Sequence, residues 1–440
     1  MSSLEVVKQS SIETLSKPSV PKSLDELDIP LAVVDALVLK HLSANPKSDI
    51  LLLTKALGVN SNLVQEILSG LKQKSLIEVF QGKLTVPTKS NLGHVLFALS
   101  EQGKLEADLA YKRDAYLGPI PVSVSQYEQI VISQDIKLSG VTRQDVERAM
   151  AGVYGGEEII GQLGPAINSG RAVLMYGDAG TGKTYVATKL LDALNSPVFI
   201  PYSVFFAGNI IKVIAPQHHE VLDDGFQSDN VSLSEQFDRR WALCSRPNIQ
   251  VGGELTMDML EVNHCSHSRV WMAPLQMMAN NGVLVIDDLG RQAVPVDRIL
   301  NRWIVPMEYR FDQFSLPNGQ QMVVPFVLTL AFSTNFLPSE IGDPAFLRRL
   351  GYKIKFKALD VQPYVALWQE TLETKNLAVG EEALDCLLRL HEIHKIEHYP
   401  CLPKDLVGIC SDIVSFERAP REITPEIVTR SWGVYFTDEE

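Results

Sequence analysis

The chain is short of several things. Its five cysteines, at 244, 265, 386, 401 and 410, are odd in number and include no C-x-x-C pair. Neither a disulfide framework nor a cysteine-built zinc site organises such a chain, and reduced thiols of this kind fit a cytoplasmic protein. Positive charge is in deficit as well. Lys and Arg number 40 against 53 Asp and Glu, a formal charge of −13, which excludes a surface that coats nucleic acid and leaves only local contacts with it. No uncharged apolar run reaches the ~18 residues of a membrane-spanning helix. Met1 to Lys22 lack the apolar core of a signal peptide, so no secretion signal is expected. With 45% hydrophobic and 21% charged residues over 440 positions, what is left is a globular protein, long enough for two or three domains of ~150 residues.

What is present is concentrated in the middle. Gly177-Asp178-Ala179-Gly180-Thr181-Gly182-Lys183-Thr184 fits the phosphate loop G-x-x-x-x-G-K-[ST] at every fixed position. An apolar run, Ala172 to Tyr176, precedes it, and Tyr185 to Leu194 reads as helix, the context the motif requires. The glycines let backbone N–H groups curl round an anion at a helix N-terminus. Lys183 would reach the β- and γ-phosphates of ATP, and Thr184 would ligate Mg²⁺.

A second motif is Gly282-Val283-Leu284-Val285-Ile286-Asp287-Asp288. A continuous apolar run ending in carboxylates reads as a buried parallel strand of the Walker B type. Asp287 would hold Mg²⁺, and Asp288 would orient and deprotonate the attacking water. A third apolar strand, Leu330 to Thr334, ends in Asn335, whose amide would contact the γ-phosphate or the water. After it comes Glu340-Ile341-Gly342-Asp343-Pro344-Ala345-Phe346-Leu347-Arg348-Arg349-Leu350-Gly351.

Around this centre the chain divides into a flexible lead-in over 1–24, a small α+β domain over 25–110, a linker over 111–140, an α/β core over 141–358 and a helical region over 359–440. In 25–110, three short helices, the third from Asn60 to Lys74, precede strands at Leu76 to Phe80 and Lys83 to Val86 and a further apolar run, Val95 to Leu99. The outward residues of the third helix are Gln65, Glu66, Lys72 and Gln73. This is no basic stripe, so protein docking is favoured over DNA binding, with DNA left open. Gly118-Pro119-Ile120-Pro121 reads as a stiff hinge, and Thr142 caps a helix to Met150. The segment 201–281 interrupts the core. It carries a hairpin around Ala207-Gly208-Asn209 and, after His264-Cys265-Ser266-His267, a helix from Ser268 to Ala279. Neither that cluster nor His218-His219 has the four ligands at recognised spacing that zinc requires.

In order and spacing, the phosphate loop, Walker B, Thr334-Asn335 and Asp343-Pro344-Ala345-x-x-Arg348-Arg349 resemble the AAA+ ATPases over about 140–437. The head resembles a winged helix, and the whole chain resembles bacterial ATPases that join such a head to one AAA+ module. The resemblance implies an αβα parallel sheet, a helical lid, and nucleotide sites shared between subunits of a ring, usually a hexamer. It implies that Arg348 or Arg349 is an arginine finger. It also implies that Lys404, in Cys401-Leu402-Pro403-Lys404-Asp405-Leu406, stands where the family usually has a sensor-2 arginine. The function so implied is Mg²⁺-dependent ATP hydrolysis that remodels or switches a protein partner. The alternatives are a DNA-associated motor or initiator-type ATPase, and an ATP-bound structural switch with little turnover. Two departures stand out. Walker B ends Asp-Asp where the family has Asp-Glu, and no aromatic-apolar-glycine pore loop is evident in 201–281.

Overall fold

The computed structural model describes residues 16–81, 95–154, 157–194, 196–223, 237–316, 318–342 and 344–436. They form two compact units, one from Met1–Gly140, Leu194–Leu284 and Asn301–Thr329, the other from Val141–Ala193, Val285–Leu300 and Leu330–Glu440.

In the first unit Leu31–Ala44, Ile50–Leu57 and Ser61–Gln73 are helices. Asp49 accepts a hydrogen bond from the Leu52 N–H at 2.7 Å and Asn60 from the Leu63 N–H at 3.0 Å, so each occupies an amide its helix cannot pair internally. Leu63, Val64, Ile67, Leu68 and Leu71 recur at helical spacing and are buried in one core with Leu37, Val38, Leu53 and Leu57. An antiparallel ribbon pairs Ile77–Gln81 with Val95–Leu99. The strand expected over Lys83 to Val86 lies outside the described residues.

Beyond residue 110 the observed packing departs from the expected division. Segment 111–140 is not a strung linker. Ile120 is fully buried, its N–H donates to the Leu57 carbonyl at 2.9 Å, and His41 Nε2 donates to the Gly118 carbonyl at 2.9 Å. Val124–Ser133 then forms a helix. The segment 201–281 also packs against residues before 140. Strand Ser203–Phe206 pairs in parallel with Val122–Ser123. Arg240, buried and ion-paired to Asp238 at 2.8 Å, donates to the carbonyls of Leu27 and Pro121. A buried guanidinium is tolerated because it is paired and hydrogen-bonded, and here the acceptors come from three separate segments, at 27, 121 and 238.

The hairpin at 207–209 forms as expected. Ser203–Phe206 pairs with Asn209–Lys212 across Ala207 at φ +51° and Gly208 at φ +85°, the left-handed pair that two-residue turns favour. The helix expected from Ser268 to Ala279 does not. Val270–Met272 is a strand paired with Asn263–Cys265, and only Leu275–Met278 is helical. Pro274 disfavours helical backbone at the residue before it and so delays the start. Two of this unit's histidines are engaged within it. His264 packs its ring on Trp271, and His219 accepts from the Ala215 N–H and donates to the Met278 carbonyl.

The second unit is built on a parallel sheet. Val173–Tyr176 lies between Thr329–Thr334 and Tyr352–Lys355, parallel to both, and the strand ending at Ile286 follows on the far side of Thr329–Thr334. Val173, Leu174 and Met175 are fully buried, which is why the strand reads as an unbroken apolar run. Flanking it are helices Arg143–Ala149, Glu157–Ser169 and Lys183–Lys189, the last tightening into a 3-10 turn over Leu190–Ala193. The C-terminal part is a bundle of Val361–Thr374, Glu381–His394, Cys401–Glu417 and Pro425–Tyr435. It has its own core, centred on Tyr364, Trp368, Leu387, Leu406, Val407 and Trp432. Among the described residues no helix is long and apolar enough to cross a membrane.

Candidate nucleotide-binding site

The loop between Val173–Tyr176 and the helix starting at Lys183 needs glycine for stated reasons. Gly177, at φ +141°, lies so near the strand after it that a Cβ would sit 2.2 Å from the Phe356 carbonyl oxygen. Gly180, at φ +81°, would place a Cβ 2.5 Å from Cys401 Sγ. Both are backbone states that side chains rarely adopt.

Lys183 is 6% exposed. Its ammonium donates to the carbonyls of Gly177 and Asp178 at 2.8 and 2.7 Å and to Asn335 Oδ1 at 2.8 Å. Burial pulls its pKa down, and the charges of Asp288, Asp178 and Asp287 oppose that, so the cation is held by the carboxylates around it. Beside it the Thr184 hydroxyl donates to the Asp287 carboxylate, at 2.9 and 3.1 Å to its two oxygens. The sheet thereby gathers Lys183, Thr184, Asp287 and Asn335 from three segments of sequence. A hydroxyl beside a carboxylate, all oxygen, is a donor set suited to a hard cation such as Mg²⁺.

Lys183, Thr184 and Asn335 open on a cleft of about 1140 Å³. Its wall includes Gly180, Asp288, Arg291, Asn335 and Lys404, and at its far end Tyr154 donates to Glu370 Oε2 at 2.6 Å. Arg348 is exposed and Arg349 half-buried. Neither is on the wall of this cleft. Asp343, part of the turn expected before them, lies outside the described residues.

Three contributors were not read from the sequence. Gln292 bonds the turn that carries the two aspartates, and its place four residues past Asp288 offered the only signal. Arg291 reaches the cleft, and Arg in that acidic surround was a visible oddity. Cys401 meets the glycine loop, its N–H donating to the Gly180 carbonyl at 3.2 Å, a contact no periodicity announces.

Comparison with known proteins adds the following. Residues 360–434, the helical bundle, match a family described as a domain of unknown function, DUF8689. No curated protein matches the chain. Among solved structures, the RuvB Holliday junction branch migration motor of Thermotoga maritima overlaps 67% of this chain and 70% of its own, at 14% identity and a TM-score of 0.36. NtrX from Brucella abortus in complex with ADP overlaps 64% of this chain and 56% of its own, at 13% identity and a TM-score of 0.40. At such scores these overlaps decide nothing about this chain.

Proposed function

We propose that this chain is a Mg²⁺-dependent ATP hydrolase of the AAA+ class that works as a ring, usually a hexamer in that class, and remodels or switches a protein partner engaged through a winged-helix head. The observation that carries this is the convergence of Lys183, Thr184, Asp287 and Asn335 at the end of a glycine loop, with Nζ of Lys183 2.8 Å from Asn335 and Thr184 Oγ1 2.9 Å from Asp287. Backbone N–H groups of residues 177–184 and the Lys183 ammonium would bind the phosphates, and Thr184 and Asp287 would hold Mg²⁺. The metal, when bound, would neutralise charge on the β- and γ-phosphate oxygens. Asp288 would accept the proton of the attacking water, and Asn335, already bonded to Lys183, would orient that water or the γ-phosphate. Lys404, on the cleft wall, would meet the phosphates from the helical lid.

Arg348 and Arg349 sit off this cleft, which favours their acting on a neighbouring subunit. The head supports a protein partner over DNA. Its third helix presents one acid, one base and two amides, while Leu51, Leu52, Phe80 and Val95 stand in solvent. Exposed apolar side chains of that kind offer a protein partner surface to cover.

The test measures phosphate release from Mg²⁺-ATP by the native protein, by Lys183→Ala and by Arg349→Ala, and then by mixtures of the two variants. Activity in the native chain, loss in each variant and partial recovery on mixing is the expected outcome, since mixed rings pair an intact loop with an intact finger. Activity in Arg349→Ala alone, independent of concentration, would remove the finger from Arg349. Absence of nucleotide binding by the native chain would remove the whole assignment.

A further inference from the structure

The turn after the Walker B strand is held in a backbone state it would not adopt alone. Asp288 has φ +48° and Gly290 φ +109°, and left-handed backbone is unfavourable for a residue with a side chain. Such states persist only where the surroundings determine them. Part of that determination comes from the sheet. The Leu289 N–H donates to the Ser333 carbonyl at 2.8 Å and Thr334 Oγ1 to the Leu289 carbonyl at 2.9 Å. Within the turn the Asp288 N–H donates to Asp287 Oδ1 at 3.0 Å and the Arg291 N–H to the Asp288 carbonyl at 2.9 Å, and one side chain adds three more bonds. Gln292 Nε2 donates to the carbonyls of Asp287 and Asp288 at 2.8 and 3.2 Å, while its Oε1 accepts from the Gly290 N–H at 2.9 Å. A carboxamide alone among side chains of this length supplies two donors and an acceptor together.

We propose that Gln292 is a positioning residue for hydrolysis: its carboxamide locks the turn from Asp287 to Gly290 and so aims the Asp288 carboxylate into the nucleotide cleft. This rests on the ATPase assignment above and deepens it. Phosphate binding depends on Lys183 and the loop amides, and the three bonds of Gln292 go instead to the turn; the one to Asp287 is to its carbonyl, while the Asp287 carboxylate is held by Thr184. The proton acceptor depends on that turn. Loss of Gln292 therefore separates turnover from affinity.

Two variants of the full chain test this. Gln292→Met keeps length and removes all three bonds. Gln292→Glu keeps the acceptor, loses both donors and places a carboxylate beside two carbonyls. Each is expected to lower kcat for Mg²⁺-ATP by about 10- to 100-fold, since misplacement by about 1 Å costs on that order. KM and the affinity for a fluorescent ATP analogue should stay within about twofold. In an Asp288→Asn background, Gln292→Met should change the residual rate no further, because the group it positions is already gone.

An unchanged kcat in both variants of an active protein overturns the positioning role and leaves the ATPase assignment intact. A fall in affinity equal to the fall in kcat also overturns it, because that is the mark of a general structural role. A native chain that binds no nucleotide overturns both.

Discussion

Replacing Gly180 by Ala tests the contact between the glycine loop and the helical bundle, and the structure fixes its expected size. Two costs add. The backbone stands at φ +81°, which an alanine adopts at about 1–2 kcal/mol. The new Cβ would sit 2.5 Å from Cys401 Sγ, and relieving such an overlap in a packed site costs about 1–3 kcal/mol. The single variant should therefore lose about 2–5 kcal/mol, or on the order of 4–20 °C in melting temperature at ~2–4 °C per kcal/mol. Cys401→Ala removes the sulfur, after which the nearest atom of residue 401 is its Cβ at 3.6 Å, an ordinary contact. Alone, that change should cost only about 1 kcal/mol, the loss of a half-buried sulfur. In the double variant the steric part disappears and the backbone part remains, so the two effects sum to about 1–3 kcal/mol less than additivity requires. Thermal melts of the four proteins, with nucleotide affinity read in parallel, give the cycle. Strict additivity would refute the reasoning, because it would mean that residues 180 and 401 do not share this space.

Three further outcomes follow from the site and its surroundings. Asp288→Asn should keep nucleotide affinity and abolish phosphate release, since an amide can hold water but cannot take its proton; an undiminished rate would move the base elsewhere, and a faster Asp288→Glu would identify the short side chain as a brake. His391 is buried, accepts from the Tyr364 hydroxyl at Nε2 and donates from Nδ1 to the Ile396 carbonyl, and burial pushes its pKa down to about 4. The unfolded chain takes up this proton below pH ~6.5 and the folded chain does not, so stability should fall between about pH 6.5 and 4, by on the order of 2 kcal/mol; an identical pH slope in His391→Gln would assign the loss to other groups, His398 first. Duplex DNA at physiological salt should show no submicromolar binding to the full chain, because a near-neutral head offers few phosphate contacts; a shift at that salt would favour the DNA-associated alternative.

The parts of the site legible in the sequence are those in which function dictates backbone. A loop that wraps phosphate must place glycine at fixed steps, and a buried strand that delivers carboxylates to it must be apolar until its last turn. Both rules act within about ten residues of sequence, and they located Lys183, Thr184, Asp287 and Asp288. Asn335 was weaker as a signal, yet it stands 152 residues from the lysine it bonds, brought there by strand order alone. The packing of the head was not legible for the opposite reason. Periodicity shows which face of an element is apolar but not which element covers it. Nothing in the sequence around Arg240 announces that Asp238, Leu27 and Pro121 surround it, and Ile120 reads as a hinge residue until it is found in the core.

The contacts between loop and bundle show how a nucleotide could move the C-terminal helices. The bundle lines the cleft with residues of its first and third helices, among them Leu367, Glu370, Cys401 and Lys404, and makes two polar contacts across it. At the phosphate end the Cys401 N–H, opening its third helix, donates to the Gly180 carbonyl, and at the far end Glu370 of its first helix accepts from Tyr154. Each is a single polar contact of about 1 kcal/mol, small against a bundle core in which Trp368 and Leu387 are wholly buried. A body that is stiff within and weakly tied at its edges moves as a unit when its ties change. Phosphate drawing the loop amides inward would displace Gly180 and with it the start of Cys401–Glu417. The Tyr154 contact, with the phenol pKa raised to about 12 by Glu370, would stay intact at neutral pH and so would act as the pivot. Tyr154→Phe should therefore weaken the coupling between nucleotide and bundle more than it weakens nucleotide binding. Hydrogen exchange in residues 361–435 with and without ATP measures this, and equal ATP-induced protection in native and Tyr154→Phe proteins would refute the pivot.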